Sequence, residues 1–382
     1  MVSKKFLGKF IVFFIICLGL TTFNAATVLS EDTGDDKASH LSEWEKLKKQ
    51  TLDEYTSEKE SVLRVWEREK KRELEEWESR KRNIINKWRE LKESTQKEWV
   101  EYTDDNLTRS QVDFEKGKVE VSSLTPKDIP DAKKKGKEKI KEQLTSIISE
   151  KGPEEKKILR EQIKVDDISL SPETLEQVYD VLKPKIIEEE VTSEDGEEFI
   201  KQTLHIPMVP EHLKIRARDY IPLVKKYARE FNMDPNLIMA VIQTESFFNP
   251  KAVSSAGAYG LMQLVPQSGG MDAYAYLNGS PKIMSRKELF NPDTNIKMGI
   301  AYLKLLKEKH FSQYADDPEK LRYLIVAAYN SGPNRVKSII GNRDISQMTS
   351  KKLLELLNRH LPAETKDYLT KIEKRIPKYN LV

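Results

Sequence analysis

The sequence predicts a multidomain protein: a long N-terminal helix with an 11-residue repeat, a small α+β domain and an all-α C-terminal domain. Three observations support this fold class. An aromatic ring recurs every eleven residues in a segment without Pro or Gly, alternating apolar residues flank turn residues further along, and helical periodicity dominates after residue 211. At 382 residues, the chain is long enough for two or three domains.

Composition limits the class of partner. Charged residues make up 33% of the chain, yet 65 Lys and Arg against 62 Asp and Glu leave a net charge of only +3. The most basic run, beginning at Lys133, is interleaved with acids and is typical of a solvated helix face. The balance therefore indicates no nucleic-acid partner.

Residues 1–26 have the pattern of a secretory signal peptide, because a basic start precedes an apolar run and small residues. We expect export to the periplasm or cell envelope. An uncleaved membrane anchor is one alternative, although the apolar run is shorter than the roughly 20 residues that a span requires. Lipidation at Cys17 is another, although Ile16 is bulkier than a lipoprotein processing site favours. Cys17 is the only cysteine, so we expect no disulfide in the mature chain.

The segment 36–105 is predicted to form one long helix. Leu or Ile stands three residues before most of its regularly spaced rings, and Lys stands four residues after most of them. The rings are Trp44, Tyr55, Trp66, Trp77, Trp88 and Trp99. Eleven residues make close to three helical turns, so the stripe stays on one face. So narrow a stripe needs a partner, and we expect self-association as a coiled coil or contact with a membrane or glycan surface.

The segment 107–210 is predicted to be a small α+β domain. Apolar residues alternate on both sides of Gly117, which indicates a β-hairpin, and a second hairpin is expected around Gly196. A charged helix from about Asp131 should separate them and end before Gly152–Pro153.

The segment 211–382 is predicted to be a compact all-α domain. The helical segments are 211–231, 235–248, 294–309, 318–330, 333–340, 350–359 and 363–375.

One acidic residue lies on an apolar face of this domain. Leu237, Val241 and Glu245 follow the helical spacing, so the carboxyl group shares the buried stripe. Asp234 should cap this helix and Asn249–Pro250 should end it, which places Glu245 in the last turn. Burial and the negative potential of a helix C-terminus both favour the protonated acid, as a general acid requires. A glutamate hydrogen-bonded at the rim of the core has the same pattern, so both interpretations stay open here.

Four separated motifs add a resemblance. They are QTESFFNPKAVSSAGAYGLMQLVPQS, FNPDTNIKMGIAYL, AAYNSGPNRV and PAETKDYLTKI. In order and spacing they resemble the lytic transglycosylases of the goose-lysozyme-like superfamily. Upstream, residues 99–124 and 204–220 resemble the N-terminal domain of the transglycosylase C group in that family, so the resemblance covers residues 99–375. The aromatic helix lies outside it.

The resemblance implies a lysozyme-like catalytic domain. Such a domain would cleave the β-1,4 bond between N-acetylmuramic acid and N-acetylglucosamine in peptidoglycan and leave 1,6-anhydromuramoyl ends. Glu245 would be the catalytic acid and base, and Tyr368 would hydrogen-bond it. The implied substrate-binding residues are Ser246, Gly260, Met262, Gln263, Tyr329, Asn330 and Tyr368. A core role is favoured for Met262 and stays open for Tyr329, and a plain turn is the alternative role for Gly260.

The alternatives belong to two other classes. A goose-type lysozyme would hydrolyse the same bond and would need a second acid, for which Asp272 is the nearest candidate. An inactive glycan-binding or tethering protein would lack the acid, which is present. The five histidines form no metal-spaced set, and no phosphate loop or GxSxG motif occurs, so we expect neither metal nor cofactor. The expected partners are peptidoglycan glycan strands.

Overall fold

A computed structural model describes residues 35–381, with side chains from residue 45 onward. The predicted signal segment 1–26 therefore lies outside the described residues. The described chain divides into two compact units. We call residues 69–266, 285–297 and 375–381 the sheet unit, and residues 35–68, 267–284 and 298–374 the helical unit.

The elements follow one another in a mainly helical order interrupted by strands. In chain order they are α1 (Asp35–Trp88), β1 (Glu98–Tyr102), β2 (Thr108–Asp113), β3 (Lys118–Pro126), α2 (Ala132–Ser149), β4 (Lys164–Val165), β5 (Ile168–Ser169), α3 (Leu175–Leu182), β6 (Ile187–Thr192), β7 (Glu198–Pro207), α4 (His212–Phe231), α5 (Pro235–Ser246), α6 (Met271–Asn278), α7 (Arg286–Phe290), α8 (Pro292–Leu305), α9 (Pro318–Ser331), α10 (Pro333–Ile340), α11 (Ser350–His360) and α12 (Ala363–Arg375).

The long helix α1 ends at Trp88, which corrects the predicted boundary at residue 105. Arg89 adopts a left-handed conformation with φ 56°, which a continuing α-helix does not allow. Trp99, the last ring of the repeat, lies on β1 and is only 3% exposed. The ring spacing therefore continues through a change from helix to strand, because the sheet core takes the last ring.

Both predicted hairpins are present in a five-stranded antiparallel sheet with strand order β1-β2-β3-β7-β6. Val112 pairs with Val119 across the turn that contains Gly117, whose φ is +67°. Thr192 pairs with Glu198 across the turn that contains Gly196, whose φ is +90°. Glycine suits both turns because it adopts positive φ without steric cost.

Helix α2 packs against β2, β3 and β7. Its buried Ile140 and Leu144 join Val119 and Val121 of β3 in one hydrophobic core. A second cluster involves α1: Ile84 and Trp88 pack with Leu124 and Phe199, and Trp77 lies at its edge. The second half of the aromatic stripe thus has a partner within its own unit.

The C-terminal half is helical, as predicted, and each predicted helix is present within a few residues of its expected bounds. Helices α6 and α7 were not predicted. Helix α8 continues as a π-helical turn over Leu306–His310. Within residues 35–381, no helix has the length and apolar character needed to cross a membrane.

Candidate active site

Glu245 lies in the last turn of α5, on the buried side of the helix. The side chain of Asp234 accepts a hydrogen bond from the Asn236 amide at 2.8 Å, and Pro235 occupies the first turn, as predicted. Glu245 is 8% exposed, and Leu237 and Val241 on the same stripe are 3% and 0% exposed. The carboxyl group therefore belongs to the margin of the core and not to a solvated face.

The end of α5 is held by a buried arginine on α4. Phe247 and Phe248 adopt left-handed φ values of 51° and 61°, which ends the helix directly after Ser246. Arg216, 2% exposed, donates through Nε to the Phe247 carbonyl at 3.2 Å. It also donates to the Phe114 carbonyl and to Gln162 Oε1, each at 2.6 Å. Burial lowers the pKa of Arg216 to about 9, so the guanidinium is still charged at neutral pH.

The last residues of the chain hold the outer side of α5. Arg375 Nη1 donates to Thr244 Oγ1 at 2.6 Å, and the Tyr379 hydroxyl donates to Gln243 Oε1 at 2.7 Å. The Arg375 guanidinium also lies over the Phe247 ring, 5.3 Å from its centroid. Sequence reasoning missed these contacts, because nothing local in the C-terminal segment indicates its partner.

Ser246 was expected to line the cleft, but its side chain is fully buried. Its hydroxyl lies 2.8 Å from the Leu261 carbonyl and 3.0 Å from the Ile242 carbonyl, to which it can donate. This hydroxyl therefore fixes the end of α5 to the segment 259–264, which carries the next predicted site residues.

Gly260 is required by packing around a turn. Its φ is +77°, and a Cβ there would lie 2.3 Å from both Asn295 Nδ2 and the Leu289 carbonyl oxygen. The Gly260 carbonyl accepts a hydrogen bond from the Gln263 amide at 3.1 Å. These contacts favour the turn interpretation over a close approach of the backbone to substrate.

Asn295 on α8 is a site-forming residue to which the sequence analysis assigned no role, although it lies inside a quoted motif. It is fully buried, and its Oδ1 accepts from the Met262 amide at 2.8 Å. Its Nδ2 donates to the Tyr259 and Leu289 carbonyls at 2.9 and 2.8 Å. Met262 itself is fully buried, which favours the core interpretation of its side chain.

Gln263 presents an open hydrogen-bond acceptor. The residue is 8% exposed and has a left-handed φ of 47°. Its Nε2 donates to the Gly260 carbonyl at 2.9 Å, whereas its Oε1 is buried and accepts no hydrogen bond from the residues that the structure describes. Leaving such an acceptor unsatisfied costs about 1–3 kcal/mol, so a ligand that donates to it would recover that free energy.

The other predicted site residues lie in the helical unit, where α9 and α12 bring two motifs together. Asn330 Oδ1 accepts a hydrogen bond from the Thr365 hydroxyl at 2.7 Å. The Tyr329 ring lies 5.5 Å from the Tyr302 ring at an interplanar angle of 56°. Tyr368, on the same helix as Thr365, is 6% exposed. Tyr302, like Asn295, lies inside a quoted motif, but no role was predicted for it.

Asp272, the candidate second acid of a hydrolase, lies in the helical unit and forms an ion pair with Lys59 of α1 at 3.5 Å. Burial raises the pKa of Asp272, and the charge of Lys59 opposes that rise. Burial, aided by the charge of Asp272, also raises the pKa of Tyr302 to about 12.

The predicted site residues thus form two groups. The first group lies in the sheet unit, where Ser246 donates to the Leu261 carbonyl and Gln263 donates to the Gly260 carbonyl; it comprises Glu245, Ser246, Gly260, Met262 and Gln263. The second group, in the helical unit, comprises Tyr329, Asn330 and Tyr368. The hydrogen bond between Tyr368 and Glu245 stays a prediction.

Known proteins resemble the same segments. Residues 222–350 match the transglycosylase SLT domain. This range includes the whole first group and, from the second group, Tyr329 and Asn330. The segment that contains Glu245 is therefore similar to a domain of the lytic transglycosylases. Residues 68–194 match the N-terminal domain of membrane-bound lytic murein transglycosylase C. The predicted resemblance is therefore confirmed for the lytic transglycosylases and for the N-terminal domain of the transglycosylase C group.

Individual relatives agree with these matches. The chain is 39% identical over 190 residues to the membrane-bound lytic murein transglycosylase C of Histophilus somni strain 2336, covering 47% of this chain and 51% of the relative. It is 36% identical over 190 residues to the protein of that name from Haemophilus influenzae strain PittGG, covering 47% of this chain and 52% of the relative. The chain thus spans about half the length of the curated relatives it matches. Among solved structures, the 70 kDa soluble lytic transglycosylase of Escherichia coli is 29% identical with a TM-score of 0.34, covering 44% of this chain and 25% of that one.

Proposed function

We propose that the protein is a lytic transglycosylase that cleaves the β-1,4 bond between N-acetylmuramic acid and N-acetylglucosamine in peptidoglycan. The observation that carries the proposal is the position of Glu245: an acid 8% exposed, at the end of a buried helix, within the segment that matches the transglycosylase SLT domain. A protonated carboxyl group in such surroundings can act as a general acid.

The proposed reaction uses one carboxyl group twice. Glu245 donates its proton to the glycosidic oxygen as the bond to the anomeric carbon breaks. The 6-hydroxyl of the same muramic acid then attacks the anomeric carbon, and the ionised Glu245 accepts the hydroxyl proton, which yields the 1,6-anhydro ring. The N-acetyl group of the substrate stabilises the oxocarbenium-like intermediate, so no second carboxylate is required, in contrast to the usual pair in glycosidases.

Two amide side chains would hold the acetamido sugars. Gln263 Oε1, which accepts no hydrogen bond from the described residues, would accept from a sugar N–H or hydroxyl. The Asn330 Oδ1 is already engaged by Thr365, so its NH₂ group would donate to an acetamido carbonyl. Tyr329 would supply a ring face, and Tyr368 would orient Glu245 by a hydrogen bond.

Product analysis tests the reaction type. Purified sacculi are digested with the full chain, and the released fragments are identified by mass spectrometry. A lytic transglycosylase gives anhydromuramoyl ends, which are lighter by one water than the reducing ends that a hydrolase gives. Reducing ends would contradict the proposal in favour of a goose-type lysozyme, and the absence of fragments would favour a binding protein. Glu245→Gln serves as the inactive control.

We further propose that the protein is exported to the cell envelope and that α1 associates there with a second copy or with an envelope surface. The leader pattern of residues 1–26 supports export. Leu52 and Leu74, which share one position of the 11-residue repeat, are 48% and 53% exposed, and the nearby Val65 is 45% exposed. Exposed aliphatic side chains in register along a helix favour association.

A further inference from the structure

A cavity of about 480 Å³ lies in the sheet unit and is lined by none of the predicted site residues. Helix α1 contributes Trp77 and Arg80 to its wall, β1 contributes Glu101 and Tyr102, and α7 contributes Arg286. The volume falls in the range of about 300–1,000 Å³ that is usual for sites that bind small molecules.

An acid without an ion-pair partner faces this cavity. Glu101 is half-buried, and within the described residues no cation lies at salt-bridge distance from its carboxylate. Burial raises the pKa of Glu101, and a hydrogen bond from the Trp99 side chain opposes the rise. Lys251 and Glu150, whose charges also act on the pKa of Glu101, pair with each other at 2.5 Å. A partly buried carboxylate is unfavourable unless a cation neutralises it, and a ligand can provide that cation.

Two cations at the same cavity also have no carboxylate partner in the described part of the chain. The Arg286 guanidinium lies over two rings, at 5.7 Å from the centroid of Tyr259 and 5.0 Å from that of Phe290. Arg80 donates to three neutral oxygens: Asn106 Oδ1 at 2.9 Å and the Tyr102 and Thr103 carbonyls at 3.1 Å. The third cation of the wall, Lys92, pairs with Glu120 at 3.0 Å and is therefore already neutralised.

The remaining wall comprises two aromatic rings, a second acid and three small or aliphatic residues: Trp77, Tyr102, Glu93, Ser94, Val100 and Val253. Trp77 and Tyr102 line the cavity, and their rings offer apolar surface to the aliphatic part of a ligand. The site therefore combines two acids, Glu93 and Glu101, and two guanidinium groups, none of which forms an ion pair within the described residues, with aromatic ring surface. A neutral sugar would leave these charges uncompensated, whereas a zwitterion would compensate them.

We propose that this cavity binds a short peptide that carries both a free amine and a free carboxylate. The amine pairs with Glu101, the carboxylate pairs with Arg286, and the aliphatic part of the peptide packs on Trp77 and Tyr102. Resting on the proposed function, the natural source of such a peptide is the stem of peptidoglycan. The cavity is then a site for the peptide part of the polymer, separate from the residues assigned to glycan cleavage.

The test is direct binding to the full chain carrying Glu245→Gln, so that turnover cannot intervene. The probe in isothermal titration calorimetry is the free stem tetrapeptide L-Ala-γ-D-Glu-meso-diaminopimelate-D-Ala. Adding Glu101→Gln is expected to weaken binding by about tenfold or more, because a charged hydrogen bond is worth roughly 1.5–3 kcal/mol. Arg286→Lys is expected to weaken it as well, since it loses the bidentate contact with a carboxylate.

Glu75→Gln is the matched control, because it neutralises a carboxylate on the exposed face of α1. It should leave the affinity unchanged, and Glu101→Gln should not lower the melting temperature, because it removes an unpaired charge from a partly buried site. No binding of the tetrapeptide, or equal binding by the Glu101→Gln variant, would overturn the proposal. An effect of Glu101→Gln on chitotetraose binding alone would also overturn it, in favour of a glycan subsite.

The outcome is independent of the reaction type. If sacculi yield anhydromuramoyl ends while the tetrapeptide fails to bind, only this inference falls. If the tetrapeptide binds through Glu101 while no anhydro product forms, the proposed function falls and the peptide site stands.

Discussion

At the residue scale, the proposed chemistry depends on the proton of Glu245. Glu245→Gln keeps the size of the side chain and removes the titrating group. We expect activity on peptidoglycan to fall by about 10²–10⁴-fold or more, because one group serves as acid and then as base. The melting temperature should stay the same or rise, since the neutral amide suits a buried position. Release of anhydromuramoyl products measures the effect, and a variant within about threefold of the parent would exclude Glu245 as the catalytic group.

Tyr368 is expected to position Glu245. Tyr368→Phe removes only the hydroxyl, so turnover should fall by roughly 10–100-fold while the melting temperature changes little. The matched control is Tyr323→Phe: this tyrosine is also 6% exposed, in the same unit, and its hydroxyl donates to Glu319 at 2.7 Å. The control should keep its turnover. Equal losses of turnover in the two variants would assign Tyr368 to packing.

A comparison of Ala variants at Gly260 and Gly257 distinguishes the effect of packing on stability from the effect of backbone strain. Both have positive φ values, +77° and +73°, but only at Gly260 would a Cβ meet other atoms, at 2.3 Å from Asn295 and Leu289. Each Ala variant carries the strain of a left-handed residue, about 1–3 kcal/mol. We expect Gly260→Ala to lose clearly more stability in thermal unfolding, because the Asn295 hydrogen bonds must also move. Similar losses at both positions would contradict this account.

At the scale of elements, Arg216 joins the β2–β3 turn, the residue-162 segment and the end of α5. Arg216→Lys keeps a charge but cannot reach three separate acceptors. We therefore expect unfolding at a lower denaturant concentration and a decrease of about 2–4 kcal/mol in the free energy of unfolding. Activity should fall as well, because the Phe247 carbonyl that ends the Glu245 helix loses its donor. Arg218→Lys is the control, since Arg218 is exposed and pairs with Glu161 at the surface. Equal losses of stability and activity in the two variants would contradict the proposal that Arg216 joins these three segments.

At the scale of the whole molecule, we expect the exposed side of α1 to contact a second copy of the protein or an envelope surface. Leu52→Lys with Leu74→Lys places charges on the exposed aliphatic position of the repeat. We expect a smaller oligomer in analytical ultracentrifugation, or weaker retention on membranes or sacculi, with activity on soluble glycan fragments unchanged. Ser57→Lys with Ser79→Lys adds the same charge at the same spacing on exposed polar positions and should change neither. A parent that is monomeric and binds neither surface would contradict the association proposal.

The sequence alone determined the local structure of this protein. Glycine turns specified the two hairpins, the Asp234–Pro235 pair specified the start of α5, and helical spacing placed Glu245 on a buried stripe. These features depend on neighbours within a few residues, and their physical causes are backbone sterics, capping and periodic burial. The four motifs identified the resemblance because their residue types and spacing survive without any knowledge of contacts.

Tertiary structure alone decided the rest. Four features depend on contacts between residues that are distant in the chain. They are the end of α1 at Trp88, the burial of Ser246, the hydrogen bonds of Asn295 and the hydrogen bond from Tyr379 to α5. The same holds for the cavity, where Glu101 and Arg286 come together from a strand and a short helix that the sequence did not reveal. Local patterns cannot specify such contacts, because a side chain shows its own polarity in the sequence, whereas its partner is selected by packing of the whole unit.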